Sequence, residues 1–456
     1  DYMVHSPPLG LLYLASGLRR KFGDMVDVHV VDMKLQYQEP EKVHALLERY
    51  QPDVVGLSAL NFEYESSNLI SDYAKKFNPD IVTALGGPLA LHRSEELLGK
   101  TSFDWVVSGA ADRSFPEALA RVFLGEDLGN DLPGLAYRGK EGALTISDKE
   151  DNLKDLNSVA MPAWDLVDFD AYAKVTAFAM LKGKRYATLF TSRGCPYKCN
   201  YCHDIFSKRF VARDADSVIE EIALLYETYG VNDFQIVDDI FNLHKPRLKA
   251  ILDEVHRRWP GQLNFSFPNG VRADILDDEV LDALAKGGTW LMSIAVETVT
   301  PRLQDLIEKY LDVDKAFWAI NAAEDRGITV GGFFMLGFPT ESVEEMKATI
   351  DFALKSKLSY ASFFTVTPQP ETPLYPLAEQ ESPDALRLIG EAEERGEGGN
   401  YNTTSWYEAA YGYPLDRLRR QATFRFYANP VRIYKLIKAM PLRSFIISVK
   451  RFLQVM

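Results

Sequence analysis

The stretch ATLFTSRGCPYKCNYCHDIF (187–206) contains every cysteine of a 456-residue chain. Cys195, Cys199 and Cys202 stand at i, i+4 and i+7, directly after an apolar, strand-like run. Three soft thiolates at that spacing can converge on one inorganic centre. A structural zinc site normally needs four closed ligands, and His203 would be the fourth. A four-iron cluster bound by three cysteines leaves one iron open to a further ligand. Three inert core cysteines are a third reading, which their proximity disfavours. The loop follows the first strand of a βα series, on the face where such barrels carry their sites, and that position favours a cofactor over a structural clip.

Working outward, ATLFTS (187–192) is the first of six strand-like runs. The others are DFQIVDD (233–239), LNFSFPN (263–269), WLMSIAVE (290–297), TVGGFFMLG (329–337) and YASFFTVT (360–367). Helical patterns such as 216–230 and 343–356 separate them. Six βα units predict a partial (β/α)6 barrel with its active face at the strand ends.

The N-terminal part alternates as well. Helices are expected at 9–22, 40–50, 62–77, 93–99 and 113–124, and strands at DVHVVD (27–32), DVVGLSA (53–59), DIVTAL (80–85) and DWVVSG (104–109). Alternation of this kind predicts a doubly wound parallel sheet of Rossmann type, whose ligands sit beyond the carboxyl ends of the strands. Ser58, Gly86, Gly87, Ser108 and Gly109 fall at those ends, where glycine lets a flat ligand approach the backbone, or simply makes a tight turn. The expected organisation is 1–130 for this domain, 131–185 for a hairpin (134–147) and linker, 186–375 for the barrel, and 376–456 for a helical region with a basic tail.

Hydrophobic content of 46% and charged content of 25% are those of a soluble globular protein. No apolar run is long enough for a transmembrane helix, and three clustered cysteines are not a disulfide framework, so a cytoplasmic setting is expected. A net charge of −14 argues against general nucleic-acid binding. The first residue is Asp1, and the chain enters a fold already under way, so an upstream segment is expected.

The cysteine spacing after a first barrel strand, with the aromatic Tyr201 before the last cysteine, resembles the radical S-adenosylmethionine family. The resemblance continues through VDDIF (237–241), GVRAD (270–274), IAVETVTPRLQDLIEK (294–309) and GGFFMLGFPTES (331–342). It implies a 4Fe-4S cluster on Cys195, Cys199 and Cys202, whose open iron chelates S-adenosylmethionine. One electron from the cluster then yields a 5′-deoxyadenosyl radical, which removes a hydrogen atom from an unactivated carbon. An electron donor of the flavodoxin or ferredoxin kind is implied. On this reading Tyr201 stacks near adenine, or else packs in the core. Glu297 accepts hydrogen bonds from the ribose or ammonium group. Gly331, Gly332 and Gly337 offer backbone to the nucleoside, and Arg272 holds a carboxylate of methionine or substrate. Asp238 and Asp239 are the catalytic candidates, one orienting the site and the other a helix cap. His203 is a packing or second-rank residue rather than a ligand.

SPPLGLLYLASGLR (6–19), VVGLSAL (54–60), VTALGGP (82–88) and WVVSGAADRSFPEAL (105–119) look like the cobalamin-binding domain often placed before this barrel, and MPAWDLVD (161–168) like the usual connection. The chain departs from that pattern at Leu89, where His is common, and at Gly109-Ala110-Ala111-Asp112, where an acidic stretch is common. No Asp-x-His-x-x-Gly is present, so no histidine axial ligand is expected.

The resemblance implies a cobalamin-dependent methyltransferase acting on a small molecule. The alternatives are a radical cyclisation or rearrangement, or a non-catalytic metal or cobalamin carrier. Phe363 and Phe364 of the last strand suggest an apolar or planar substrate. Residues 417–456 hold ten Lys/Arg and no Asp/Glu, leaving −24 on the rest of the chain. Read helically, Ile433, Leu436, Ile437 and Met440 share one face, with Arg432 and Lys435 leaning away. Beyond Pro441, Phe445, Ile446, Val449 and Phe452 form a second stripe. The favoured reading of 430–456 is a helical cap docked on the acidic barrel; the alternative is peripheral contact with an anionic membrane.

Overall fold

The computed structural model describes all residues except 1–4, 37–38, 140–141, 148–152, 176, 178–179, 203–204, 207, 371, 395–404, 440–444 and 446–456. It divides into two compact units, Asp1–Phe178 with Ile205–Ser207, and Ala179–Asp204 with Lys208–Met456.

In the first unit β1 (Val54–Ser58), β2 (Val82–Gly86) and β3 (Trp105–Val107) run parallel, and the hairpin β4 (Leu135–Arg138) and β5 (Leu144–Ile146) extends the sheet antiparallel. Strand alternation sends Ala84, Trp105 and Val107 into one apolar cluster with Phe115, Ala118 and Leu119 of the helix Ser114–Phe123. Leu85 and Val106 point the other way, onto Leu97 and Leu98 of the helix Ser94–Lys100. Apolar cover on both faces is what makes the sheet doubly wound. Leu89, the departure from the family pattern, is fully buried in that second cluster. One expectation fails. Residues 27–32 form no strand; they alternate between exposed and half-buried as an extended edge would, without a ladder. Their polar side chains find separate partners instead: His29 stacks on Tyr50, and Asp32 accepts a 2.5 Å hydrogen bond from the Tyr172 hydroxyl.

In the second unit the strands are β6 (Tyr186–Leu189), β9 (Asp233–Ile236), β10 (Asn264–Val271), β11 (Thr289–Glu297), β12 (Thr329–Leu336) and β13 (Tyr360–Thr365), while β7 (Ser192–Arg193) and β8 (Val211–Ala212) form a separate ribbon. The six lie side by side in chain order and all pair in parallel, the (β/α)6 arrangement. The two last strands divide their aromatics by alternation. Phe334 stacks on Phe363 and meets Phe352 of the helix Val343–Lys355, so that face is covered by helices. Phe333 packs against Phe364 on the opposite face. Phe363 is therefore core, a correction to its place beside a substrate, and Phe364 stands on the inner wall.

Among the described residues five helices follow β13: Leu374–Glu381, Pro383–Glu394, Trp406–Tyr411, Leu415–Tyr427 and Pro430–Ala439. The last is oriented by a charge rather than by its apolar pattern. Arg432 is 5% exposed and donates to the carbonyls of Ala353, Leu354, Ser356, Leu358 and Phe426 at 2.7–3.2 Å. Three of these carbonyls, those of Ala353, Leu354 and Ser356, lie at the end of the helix Val343–Lys355, where they lack intrahelical donors. Lys435 reaches Glu324 at 2.9 Å. The two cations expected to lean away thus hold the helix in place; of the residues expected to pack, Leu436 is buried while Ile433 and Ile437 are exposed. Met440, Ile446, Val449 and Phe452 lie outside the described residues. Among the described residues, no helix is long and apolar enough to cross a membrane.

Glu341, after β12, illustrates the cost of this packing. It is 2% exposed, accepts from the Gly337 and Phe338 backbone at 2.6 and 3.0 Å, and burial pushes its carboxyl up to about 8. A carboxyl raised in the fold is bound to its proton there over a range in which the unfolded chain has lost it. Its contribution to stability is therefore largest below the unfolded value of 4.5 and declines as pH rises toward about 8. Glu341→Gln is expected to flatten the stability profile between about pH 5 and 8, read by urea unfolding at several pH values. A profile as steep as the parent's would show that Glu341 stays ionised in the fold.

Candidate functional site

The cysteine loop leaves the carboxyl end of β6 and is fastened residue by residue. Asp238, 1% exposed, accepts from Thr191 N at 2.6 Å, Thr191 Oγ1 at 2.5 Å and Ser192 Oγ at 2.6 Å. Burial holds its carboxyl above the ordinary range. Asp239 accepts from Gly194 N at 2.7 Å, immediately before Cys195. Asn200 ties the loop three times, donating through its N to Ile307 O at 3.1 Å and through Nδ2 to Leu306 O at 2.6 Å, and accepting at its carbonyl from Leu374 N at 3.0 Å. The two aspartates are positioning residues here, and neither caps a helix.

Cys195 and Cys199 are half-buried and Cys202 is exposed. Burial pushes the Cys195 thiol up, and the neighbouring Cys199 adds to the effect. Among the described residues no three His, Cys, Asp or Glu side chains gather as a cage for a single metal ion. His203 lies outside the described residues. Three soft sulfurs on one tethered loop are a donor set suited to an iron–sulfur cluster.

Tyr201 is placed behind this loop. Its ring meets Phe338 edge-on at 6.2 Å and sits against the Leu303, Ile307 and Phe338 cluster. Its hydroxyl lies 3.4 Å from Glu297 Oε1, and Lys309 Nζ donates to it at 3.2 Å. Lys309 is also 3.4 Å from Glu297 Oε1. Burial, reinforced by the Glu297 carboxylate, drives the Tyr201 hydroxyl far above its ordinary value. Glu297 ends β11 in the left-handed region, at φ +66°, across a register shift in the ladder to β12. A buried non-glycine residue held there marks a site where surrounding structure over-determines the backbone.

Arg272 is engaged otherwise than expected. Asp274 takes its fork at 2.7 and 2.8 Å, the Lys309 and Tyr310 carbonyls accept at 3.1 and 3.3 Å, and the guanidinium lies 3.7 Å over the Tyr197 ring. It staples the cysteine loop to the loop carrying Lys309, and its bidentate face is not presented to a carboxylate ligand. The three glycines are likewise closed. Gly331 and Gly332 lie inside β12, paired on both sides, and a Cβ at Gly331 would come within 1.8 Å of the Tyr360 ring. Gly337 N–H is taken by Glu341, and a Cβ there would lie 2.6 Å from Leu415. Their glycine is accounted for by packing.

Sequence reasoning missed Lys309, Gln304, Tyr197 and Asp274. Gln304 and Lys309 close the stretch IAVETVTPRLQDLIEK, so the signal was on the page, but their partners are set by loop conformation rather than spacing.

In the first unit Ser58 and Gly86 end β1 and β2, and Ser108 and Gly109 follow β3. Gly87 has φ +83°, and a Cβ there would stand 2.8 Å from both Ala59 N and Ser58 Oγ. Gly109 has φ +75° with nothing nearer than 3.6 Å to its would-be Cβ. Ser108 N–H is held by Gly134 O at 2.9 Å, and Gly134 itself leaves no room for a Cβ beside the Ser108 carbonyl. Gly87 is thus glycine for its own neighbours, while Gly109, beyond β3, leaves room in which a flat ligand can approach the backbone.

Residues 189–353 match the Radical SAM superfamily and residues 4–119 match the B12 binding domain. The chain is thus a radical S-adenosylmethionine enzyme with a B12 binding domain ahead of the barrel, and S-adenosylmethionine, an iron–sulfur cluster and cobalamin are the cofactors of that class. The chain is similar to uncharacterized methyltransferase PH0819 of Pyrococcus horikoshii, at 29% identity over 375 residues, 82% of this chain and 78% of that protein. It is also similar to the anaerobic magnesium-protoporphyrin IX monomethyl ester cyclase of Rubrivivax gelatinosus, at 26% identity over 373 residues, 81% and 66% of the two chains. Among solved structures, the radical S-adenosylmethionine methyltransferase TsrM of Kitasatospora setae, bound to tryptophan and a S-adenosylmethionine analogue, shares the fold with a TM-score of 0.68 at 20% identity over 83% of this chain and 74% of that one.

Proposed function

We propose that this chain transfers a methyl group to an unactivated atom of a small molecule by radical chemistry. The observation that carries the reading is the tethered loop of Cys195, Cys199 and Cys202 in a chain that also carries the glycine rim of a B12 binding domain. When bound, the cofactors supply one electron to the sulfonium of S-adenosylmethionine and a methyl group from cobalamin. The residues of this chain do the rest. Cys195, Cys199 and Cys202 hold the cluster. Asp238, Asp239, Asn200 and Arg272 fix the loop that presents it. Glu297 offers a carboxylate to a ribose or ammonium group, and Phe364, Phe333 and Met335 give the inner wall an apolar surface that keeps water from a reactive carbon. Ser58, Gly86, Gly87, Ser108 and Gly109 receive cobalamin. An external one-electron donor of the flavodoxin or ferredoxin kind completes the cycle.

The similarity to a cyclase favours a second reading, radical ring closure on the same cofactors. Mass analysis of the product separates the two: methyl transfer adds one CH₂ to the substrate, and cyclisation adds none. Anaerobic turnover that consumes S-adenosylmethionine without any such gain would sink the methyltransferase reading.

The cobalamin rim has its own test. Gly87→Val forces a branched Cβ onto Ala59 N and Ser58 Oγ in a left-handed backbone that valine disfavours. Bound cobalamin is expected to fall at least tenfold while iron content is unchanged, read by absorption and metal analysis. Parent-level cobalamin in the variant would place the ligand elsewhere.

A further inference from the structure

The loop that carries the three cysteines is shut at its neck by charge. β7 and β8 pair Ser192 with Ala212 and Arg193 with Val211, so residues 194–210, all three cysteines among them, hang from one short ribbon. A ribbon of two pairs is too short to hold itself closed in water. Thr191 and Arg213 flank it and face each other, Arg213 N donating to Thr191 O at 3.0 Å. Thr191 is fully buried and each of its polar atoms is engaged. Asp238 takes its N and Oγ1, and its carbonyl accepts a second bond, at 2.6 Å, from Arg247 Nη2. Arg247 Nε donates to the carbonyl of Arg213. One planar guanidinium therefore spans the neck from Thr191 to Arg213.

That arginine stands at an unfavourable place. It lies in the first turn of the helix Lys245–Arg258, which holds no acidic residue there, and its N donates to Nδ1 of the capping His244 at 3.2 Å. The amino end of a helix carries positive charge and disfavours cations. Burial disfavours the charge of Arg247 as well, while Asp238 supports it and the second cation, Arg213, opposes it. Arg213 is 5% exposed and is itself fastened. Its guanidinium pairs with Glu221, 1% exposed, and donates to Ser217 O at 2.8 Å and Phe190 O at 3.4 Å. Two arginines and two carboxylates are thus gathered around one strand end. Apolar residues of similar volume usually stabilise a fold as well or better, so this arrangement is explained by what it does to the loop.

We propose that Arg247 is the latch of the cysteine loop: by bridging Thr191 and Arg213 it keeps the neck shut and sets how slowly an iron–sulfur cluster on Cys195, Cys199 and Cys202 is lost. The proposal rests on the cluster reading above. Three cysteines leave a four-iron cluster one protein ligand short, so retention depends on how well the loop keeps its thiolates together. A loop fixed at both ends returns a parted thiolate to its iron, and a loop free at one end lets it drift away. Asp238 and Asp239 hold the incoming side of the neck, at Thr191, Ser192 and Gly194. Arg247 joins the outgoing side to it from a helix outside the loop, and is in that sense a positioning residue.

Arg247→Met removes both bonds and keeps much of the bulk. The experiment follows iron passing anaerobically from the reconstituted full-length chain, without S-adenosylmethionine or substrate, to the ferrous chelator bathophenanthroline disulfonate. Release is expected to be about tenfold faster than from the parent, because local opening of a segment loses the charged hydrogen bonds that resisted it. Starting iron content should stay near the parent's. Arg247→Lys should recover less than half of the difference, because a point donor reaches one of the two carbonyls that the fork spans. Arg432→Met, which loosens the same unit ahead of β13, at Ser356 and Leu358, is the control and should release iron at the parent rate. In the iron-free chains, amide exchange over 190–193 and 211–214 should quicken in Arg247→Met, and that of β11 and β12 should not. Parent rates of release or of exchange at the neck in Arg247→Met overturn the proposal, as does equally fast release from Arg432→Met. If Arg247→Met does not fold, Arg247→Lys carries the test, and a parent rate overturns it. A parent chain that takes up no iron overturns the cluster reading itself, whereas exchange in the iron-free chains still decides whether Arg247 closes the neck.

Discussion

Replacing Cys195, Cys199 and Cys202 together with alanine is expected to abolish both iron and turnover. The reconstituted parent should carry about four irons per chain, as expected for a cubane cluster on three cysteines. The variant should carry none, and reductive cleavage of S-adenosylmethionine should fall to background. The structure sharpens this expectation, because the loop is anchored by groups other than the thiols. Asp238 holds Thr191 and Ser192, Asp239 holds Gly194, and Asn200 holds 306 and 307. The alanine variant should therefore fold, with parent-like circular dichroism and melting, and the loss should be of the metal alone. Retention of zinc with no uptake of iron by the parent would favour the four-ligand structural site instead. Asp239→Ala gives a graded companion result: with Gly194 released, iron uptake should slow while the final content stays near the parent's.

The second large effect is on stability. Arg432→Met removes the guanidinium donor from five carbonyl oxygens, of which that of Ala353 keeps the Ser356 hydroxyl at 2.9 Å. Each buried acceptor left unpaired costs about 1–3 kcal/mol, and the methionine recovers part of this through packing on Phe426. A net loss of about 3 kcal/mol is expected, roughly 6–12 °C in apparent melting temperature. Arg432→Lys should recover less than half, because a point donor cannot reach five acceptors fanned around a planar fork. Deleting 430–456 should cost as much as Arg432→Met. Parent-like melting of the truncated chain would show that the helix Pro430–Ala439 is not part of the fold, and would return the basic tail to the alternative of a surface-binding segment.

Much of the architecture was legible because it rests on periodicity. Runs such as ATLFTS, DFQIVDD and WLMSIAVE are apolar on both faces, and only a parallel sheet covered by helices buries both. All six barrel strands start within one residue of the expected position, and β9, β12 and β13 coincide with it, since Gly and polar punctuation bounds them. The strand expected at 27–32 is absent because its periodicity was real and its partner was not: a strand exists through its ladder, and alternation alone cannot supply one. Tail phasing failed for a related reason. The apolar pattern of 430–440 assumed that hydrophobic burial would decide the rotation of the helix, but one guanidinium meeting several orphan carbonyls outweighed two isoleucines.

The cysteine spacing and the strand-like run before it placed the three thiols on one loop at the carboxyl end of a first strand, because so short a stretch leaves no room for a further element between them. Sequence also determined the two βα series and the glycines at their turns. What those neighbours do was decided only by tertiary structure. Gly331, Gly332 and Gly337 are glycine for the Tyr360 ring, Leu358 and Leu415 respectively, which come from 26 to 78 residues later in the chain. Arg272 belongs to Asp274 and Tyr197 rather than to a ligand. Lys309 meets Glu297 and Tyr201 because three residues accept left-handed backbone under the grip of Gln304. Local pattern fixes which elements form, since it is written in near-neighbour burial. The pairing of charges and the filling of space across a barrel depend on contacts between distant segments, and no periodicity encodes those.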